Sequence, residues 1–141
     1  MIVVNKCVAH PWKCDVMDHL TTRFYVGMFD DASYHFLHEV FDWTASQDAE
    51  GSLGWVDVRH TIDYVSEVRA GDMLEIRACL GKIGTKSITS VYQMANVANG
   101  EVAARMESVS VLFDLKERVS VALSQQLRAK AERYLESGDE D

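Results

Sequence analysis

The sequence predicts one α+β domain in which an antiparallel sheet covers a single long helix. Apolar residues from 23 to 41 recur with helical spacing and spread around most of the helix surface, which is typical of a buried helix. After Gly51 the apolar residues alternate instead, as in half-buried strands, over four runs separated by turn residues. A long helix followed by a meander of strands indicates separate helical and sheet layers.

The elements follow in order along the chain. The run from Ile2 to Val8 is predicted as the first strand, which ends before the only proline, Pro11. The helix is predicted over 23–41, and further strands over 56–64, 74–80, 87–95 and 102–113, with turns at 70–72, 81–84 and 99–100. The spacing of Leu123 and Leu135 predicts a short final helix. The domain then covers 1–137, and we expect the acidic tail, 138–141, to be disordered.

Composition narrows the class of protein. With 141 residues, 48% hydrophobic and 26% charged, the chain is typical of one soluble globular domain. No apolar run approaches the roughly 18 residues of a membrane span, and the first residues lack the features of a signal peptide. The three cysteines have no metal-binding spacing, so we expect reduced thiols and a cytoplasmic location. The net charge of −8 argues against nonspecific nucleic-acid binding.

The most informative segment is the polar loop 15–22, which precedes the long helix. It holds two carboxylates, Asp15 and Asp18, an imidazole, His19, and two hydroxyls, Thr21 and Thr22. A general base beside the backbone N–H groups of a helix start is suited to attack on a carbonyl carbon. The alternative is an ordinary helix start, with a threonine as N-cap and Asp18 favoured by the helix dipole. Capping leaves Asp15 and His19 unexplained.

This order of elements and residues resembles the hotdog fold, specifically acyl-CoA thioesterases of the 4-hydroxybenzoyl-CoA thioesterase type. That family shows Asp-x-x-Gly-His-(Val/Met)-Asn, then an aromatic residue and a helix carrying Phe-(Glu/Asp)-x-Ala. The loop 15–22 matches the first motif, Tyr25 the aromatic position, and 29–32 the helix motif. Weaker matches are Tyr64, Gly71-Asp72, Lys86-Ser87, Ala103-Ala104, Phe113-Asp114 and Arg118. Asp18 and Thr21 depart from the motif's glycine and asparagine.

The resemblance implies a five-stranded antiparallel sheet wrapped around a long central helix, and a set of site residues. It implies that Asp15 is the catalytic carboxylate, either as nucleophile or as general base, and that a helix-start N–H at Thr22 polarises the thioester carbonyl. His19 either orients the acid or holds the loop; the plainer alternative is a capping or core histidine. Tyr25 is expected to contact the substrate.

Further candidates have open alternatives. Asp30 is either a pocket acid or a buried carboxylate paired with Arg23. His60 is either a substrate contact or a satisfied core histidine on the apolar face of its strand, which it shares with Val56, Val58, Ile62 and Tyr64. The resemblance places basic residues such as Lys86 and Arg118 near the phosphates of coenzyme A. Asp31, His35 and His38 have helical spacing, but a solvated polar stripe is simpler than a metal site, so no metal is expected.

The expected function is therefore hydrolysis of a small or medium acyl-CoA, with no cofactor beyond the coenzyme A of the substrate, by a homodimer or homotetramer. Two alternatives stay open. One is a hydratase or dehydratase of the same fold acting on acyl thioesters. The other is a hotdog domain that binds acyl thioesters without catalysis.

Overall fold

Six strands and two helices make up the described part of the structure, a computed structural model that covers residues 1–44 and 53–137. In chain order the elements are β1 (Ile2–Val8), α1 (Thr22–Phe41), β2 (Leu53–Tyr64), β3 (Met73–Ile83), β4 (Ser87–Asn96), β5 (Val102–Asp114), β6 (Val119–Ser120) and α2 (Gln125–Glu132). A single 3₁₀ turn, Pro11–Lys13, precedes α1. The tail 138–141, predicted to be disordered, lies outside the described residues.

The five long strands form one antiparallel sheet in the order β1-β3-β4-β5-β2, and β6 pairs with the end of β5. The predicted α+β class and the five-stranded antiparallel sheet are confirmed. The sequence analysis missed β6, because a strand of two residues carries no periodicity. Among the described residues, β1 and β2 form the two edges of the sheet, so β2 has a partner strand on one side only.

Helix α1 packs lengthwise on one face of this sheet, as its broad apolar surface requires. Phe29, Ala32 and Phe36 are fully buried. The ring of Tyr92 in β4 lies 6.2 Å from that of Phe29 and 5.9 Å from that of Phe36, which places the centre of the core between α1 and the middle strands. The helix ends at Phe41, and the C-cap residue, Asp42, adopts a left-handed conformation with φ 55°.

Two predicted boundaries are wrong. The residues 81–84 are not a turn, because β3 continues to Ile83 through a bulge between Leu80 and Lys82. The final helix does not reach Leu135. It ends at Glu132, and the chain then pairs with β3, where the Leu80 N–H donates to the Tyr134 carbonyl at 2.8 Å. Backbone pairing with the sheet replaces the last helical turn.

The predicted common face of Val56, Val58, His60, Ile62 and Tyr64 is also wrong. A bulge between Asp57 and Arg59 shifts the alternation, so that Trp55, Asp57, His60, Ile62 and Tyr64 pair with the helix-facing residues of β5. Val56 points to the opposite face, and Val58, unpaired in the bulge, is 59% exposed. Most of β2 is exposed because it is an edge strand rather than a half-buried one.

One end of the sheet carries the polar loop. The Leu20 N–H donates to the Val68 carbonyl at 2.8 Å, and the Ala9 N–H donates to the Asp72 carbonyl at 2.9 Å. These bonds hold the loop and the start of α1 against the segment that leaves β2.

Candidate active site

The loop around Asp15 is closed by its own backbone and by the Asp15 side chain. The Asp15 N–H donates to the His19 carbonyl at 2.8 Å. The Asp15 Oδ1 accepts the N–H groups of Met17 at 2.8 Å and His19 at 3.2 Å. Oδ2 has no hydrogen-bond partner among residues 1–44 and 53–137. One carboxylate oxygen therefore fixes the loop while the other is available for chemistry.

Asp18 occupies the turn of this loop in a left-handed conformation, with φ 61°. The family motif has glycine at this position, and glycine adopts such a backbone without strain. Aspartate is among the few other residues that tolerate it. The Asp18 side chain is exposed. The departure from the motif thus preserves the backbone shape and adds a charge at the surface.

Helix α1 begins beside this loop with free backbone donors. Thr21 is the N-cap residue by its conformation, but its hydroxyl makes no capping hydrogen bond. The Thr22 and Arg23 N–H groups have no acceptor in the described part of the chain, as expected for the first turn of a helix. The alternative interpretation is thus right about the position of the N-cap, Thr21, but no threonine side chain caps the helix, so the positive end of its dipole faces the pocket.

A cavity of about 380 Å³ brings several predicted residues together. Asp15, His19, Thr22 and Tyr25 all line it. Its opposite wall is the end of β2 and the segment after it, Tyr64 to Val68. The carboxylate, the imidazole and the helix start thus share one pocket, although the catalytic and binding roles of these residues remain predictions.

The pocket also contains a carboxylate that the sequence analysis missed. Glu67 Oε1 lies 3.3 Å from His19 Nε2. The sequence feature that could have pointed to Glu67 is the polar pair Ser66-Glu67, which lies between Val65 and Val68 directly beyond the end of a predicted strand. The contact could not be predicted from the sequence, because 47 residues intervene between His19 and Glu67.

Burial and neighbouring carboxylates raise the pKa values of two groups at or beside the pocket, Tyr25 and Cys14. The Tyr25 and Tyr64 rings meet edge to face, and Tyr25 is buried. Burial raises the pKa of the Tyr25 phenol, and nearby Tyr64, Cys14 and Asp15 raise it further. Loss of solvent also raises the pKa of the Cys14 thiol, as do Asp18, Asp15 and Asp72. Neither group is therefore suited to be an anionic nucleophile at neutral pH.

Asp30 and His60 lie away from this cavity, farther along α1 and β2. The His60 Nε2 is 3.4 Å from Asp57 Oδ2, and the Ser110 hydroxyl donates to Asp57 Oδ1 at 2.7 Å. Partial burial and the neighbouring Asp57 and Asp31 raise the pKa of Asp30. The alternative of a buried Asp30 paired with Arg23 is wrong, because much of the Asp30 surface is exposed and no ion pair joins the two residues in the described part of the chain. Arg23 instead lies over the Phe24 ring, 4.8 Å from its centroid.

Lys86 and Arg118 lie at the opposite end of the sheet from Asp15. The Lys86 carbonyl accepts the Leu112 N–H near the end of β5, and the Arg118 guanidinium lies over the Phe113 ring. Tyr64, beside the pocket, pairs with Ala104 near the start of β5. Asp114 lies ten positions after Ala104 along the strand, a distance of about 33 Å at the usual rise of a strand. One chain alone does not bring these basic residues to the Asp15 pocket.

The described residues can also be compared with the requirements of a metal site and of a membrane-spanning helix. Within the described residues, no group of three or more His, Cys, Asp or Glu side chains is placed to hold a metal ion. Neither described helix has the length and apolar character needed to cross a membrane.

Comparison with known proteins identifies a family. The family model described as "Thioesterase-like superfamily" matches residues 9–131. No curated protein matches the sequence.

Several solved structures share the fold. The probable thioesterase YbaW of Escherichia coli is 21% identical, with a TM-score of 0.78 over 94% of this chain and 98% of its own. A 1,4-dihydroxy-2-naphthoyl-CoA thioesterase of Synechocystis is 16% identical, with a TM-score of 0.78 over 90% of this chain and 93% of its own. A hypothetical protein of Staphylococcus aureus in complex with CoA is 14% identical, with a TM-score of 0.86 over 100% of this chain and 92% of its own. At these identities the likeness shows the fold, and the predicted hotdog fold is confirmed.

Proposed function

Because the chain belongs to the thioesterase-like superfamily, we propose that it is an acyl-CoA thioesterase that hydrolyses the thioester bond of a small or medium acyl-CoA. The observation that carries this proposal is the shared cavity, in which the Asp15 carboxylate and the N-terminus of α1 line the same space. The CoA bound in the Staphylococcus aureus structure supports the choice of ligand.

The positions of Asp15 and the start of α1 in the pocket suit hydrolysis of a thioester. The thioester carbonyl oxygen accepts a hydrogen bond from the Thr22 N–H, and the helix dipole stabilises the negative charge that develops there. As a general base, Asp15 takes a proton through Oδ2 from a water molecule whose oxygen bonds to the carbonyl carbon. The carbon–sulfur bond then breaks, and the departing thiolate takes up the proton that Asp15 holds. In the nucleophile route Oδ2 itself bonds to the carbon, the carbon–sulfur bond breaks, and the thiolate takes its proton from solvent; water later cleaves the mixed anhydride, which releases the acid and the free Asp15 carboxylate.

We propose that the complete site needs two copies of the chain. Strand β2 is a twelve-residue edge with exposed Val56 and Val58, which is suited to pairing with another strand. If two copies pair through β2 in antiparallel fashion about a two-fold axis, the start of one β2 lies beside the end of the other. That arrangement brings Lys86 and Arg118 of the partner subunit towards the Asp15 pocket, where they would meet the coenzyme A phosphates.

A thiol-release assay with a panel of acyl-CoAs tests this proposal. Steady release of free CoA from at least one small or medium acyl-CoA supports it. Two results contradict it. Loss of an enoyl thioester's ultraviolet absorbance without thiol release indicates a hydratase. Saturable binding of acyl-CoA without any turnover indicates a binding domain.

A further inference from the structure

We infer that Glu67 is a positioning residue, which holds the His19 ring and, through the His19 backbone, the carboxylate of Asp15. This inference rests on the proposed function. It concerns a residue outside the motif that implied Asp15, His19 and Thr22.

The backbone brings the two side chains together. The Leu20 N–H donates to the Val68 carbonyl at 2.8 Å, so the residues that directly follow His19 and Glu67 are bonded to each other. Ser66, on the other side of Glu67, is anchored as well, because its hydroxyl donates to the Val102 carbonyl at 2.7 Å. Glu67 therefore extends from a fixed segment of backbone towards a fixed loop.

The contact continues from Glu67 to the reacting carboxylate. Glu67 Oε1 lies 3.3 Å from His19 Nε2, within the distance of an ion pair. The backbone N–H of the same histidine donates to Asp15 Oδ1 at 3.2 Å. A carboxylate beside one ring nitrogen favours the proton on that nitrogen and attracts the ring when it is charged. We therefore infer that Glu67 favours the Nε2–H form of His19 and limits the motion of the residue that holds Asp15.

Charge and exposure argue against a purely structural role. The Glu67 side chain is 66% exposed, and ion pairs at such positions contribute little to stability. A second carboxylate at the mouth of the pocket also repels an anionic coenzyme A ester, in a chain whose net charge is already −8. The contact with the His19 imidazole is the feature that explains why a carboxylate lies at the mouth of the pocket.

The first test is a double-mutant cycle on thiol release with Glu67→Ala, His19→Ala and the double variant. We expect Glu67→Ala to lower kcat on the order of tenfold, the scale on which misplaced catalytic groups act, and to leave KM unchanged. Glu67→Gln keeps an acceptor oxygen and should restore most of the turnover. In the His19→Ala background, Glu67→Ala should have no further effect. Glu132→Gln removes the same charge from exposed α2 and is the matched control.

The second test does not depend on activity. Nitrogen-15 spectra of histidine-labelled protein report which ring nitrogen carries the proton, and the His19→Ala spectrum assigns the His19 signals. We expect the Nε2–H form in the wild type and in Glu67→Gln, and a mixture of forms in Glu67→Ala.

Three outcomes would overturn the inference: unchanged kcat in Glu67→Ala, an equal loss with and without His19, or identical His19 signals in all Glu67 variants. A wild-type protein that hydrolyses no acyl-CoA refutes the proposed function instead. The spectra then decide the pairing of Glu67 with His19 by themselves.

Discussion

The Tyr25 and Tyr64 rings meet edge to face with their centroids 5.0 Å apart, and join the first turn of α1 to the last residue of β2. Tyr25 is buried, whereas Tyr64 is 51% exposed on the edge strand. The contact therefore closes the side of the pocket that lies nearest the open edge of the sheet. Its loss should loosen the wall of the pocket rather than the core.

Replacing Tyr64 tests the contribution of this contact to stability. Tyr64→Phe keeps the ring and should unfold within error of the wild type. Tyr64→Ala should lower the free energy of unfolding by about 1 kcal/mol, the usual scale of an aromatic pair. Urea denaturation of both variants gives the comparison, and equal stability of the Phe and Ala variants would show that the ring contact contributes nothing.

Replacing Asp15 tests the proposed chemistry. Asp15→Asn keeps Oδ1 as the acceptor for the Met17 and His19 N–H groups, so the loop should persist. The variant loses the base, and kcat for thiol release should fall at least ~10²-fold. Binding of coenzyme A, measured by calorimetry, should change little. Turnover near that of the wild type would refute the assignment.

Because Asp18 has a left-handed backbone, substitutions can separate the effect of its backbone conformation on stability from the effect of its charge. Asp18→Gly should be neutral or stabilising, because glycine adopts φ 61° without strain. Asp18→Ala should lower the free energy of unfolding by about 1 kcal/mol, since alanine has no side chain suited to that region. Asp18→Asn removes the charge yet tolerates the backbone, and so serves as the control.

The Asp18 variants also test whether the charge affects catalysis. If it does, the Gly and Asn variants should both change kcat for thiol release in the same direction, because both remove the same carboxylate. If only the backbone matters, glycine alone should change kcat. Unchanged kcat in both variants would mean that Asp18 is merely a surface residue.

Burial of Tyr92 predicts a loss of stability at alkaline pH. Burial raises the pKa of the Tyr92 phenol well above its ordinary value near 10. Above about pH 10 the unfolded chain releases the phenol proton, while the folded chain keeps it. The free energy of unfolding is therefore at its full value below about pH 10 and falls by roughly 1 kcal/mol per pH unit above it. Burial also raises the pKa of the Cys7 thiol to about 11, which acts in the same direction.

Urea denaturation at several pH values between 9 and 11 measures this loss. Tyr92→Phe should show a shallower decline above pH 10 than the wild type. Tyr34→Phe, at an exposed position, should decline as the wild type does. Parallel declines in all three proteins would contradict the prediction.

The edge strand β2 predicts the assembly state. Light scattering should give two or four times the mass of the chain. Val58→Lys places a charge on the exposed bulge of β2 and should shift the protein towards monomers, with a parallel loss of turnover. Val97→Lys is the control, because Val97 is similarly exposed but lies beyond the end of β4. An active monomer at micromolar concentration would refute the two-copy site.

The sequence was sufficient to predict the elements in which apolar residues repeat over a long, uninterrupted stretch. Helix α1 was placed to within one residue because its apolar surface repeats over five turns. Bulges were not foreseeable, since Val58 looks like an ordinary member of an alternating run, and Gly81 like the start of a turn, until the partner strand is known. The motif placed Asp15 and Thr22 in one loop. The Glu67 contact with His19 required the three-dimensional pairing of Leu20 with Val68.

The strand order has a consequence for the newly synthesised chain. Strand β2 pairs only with β5 among the described strands, and Asp114 at the end of β5 follows Tyr64 by fifty residues. At the usual rate of translation this interval lasts about 3 to 10 seconds. During that time α1 and β2 have been made and emerge from the ribosome, while most of the sheet that will bury Phe29 and Phe36 is still being made. The nascent chain therefore exposes a strongly apolar helix to chaperones or aggregation before it can fold.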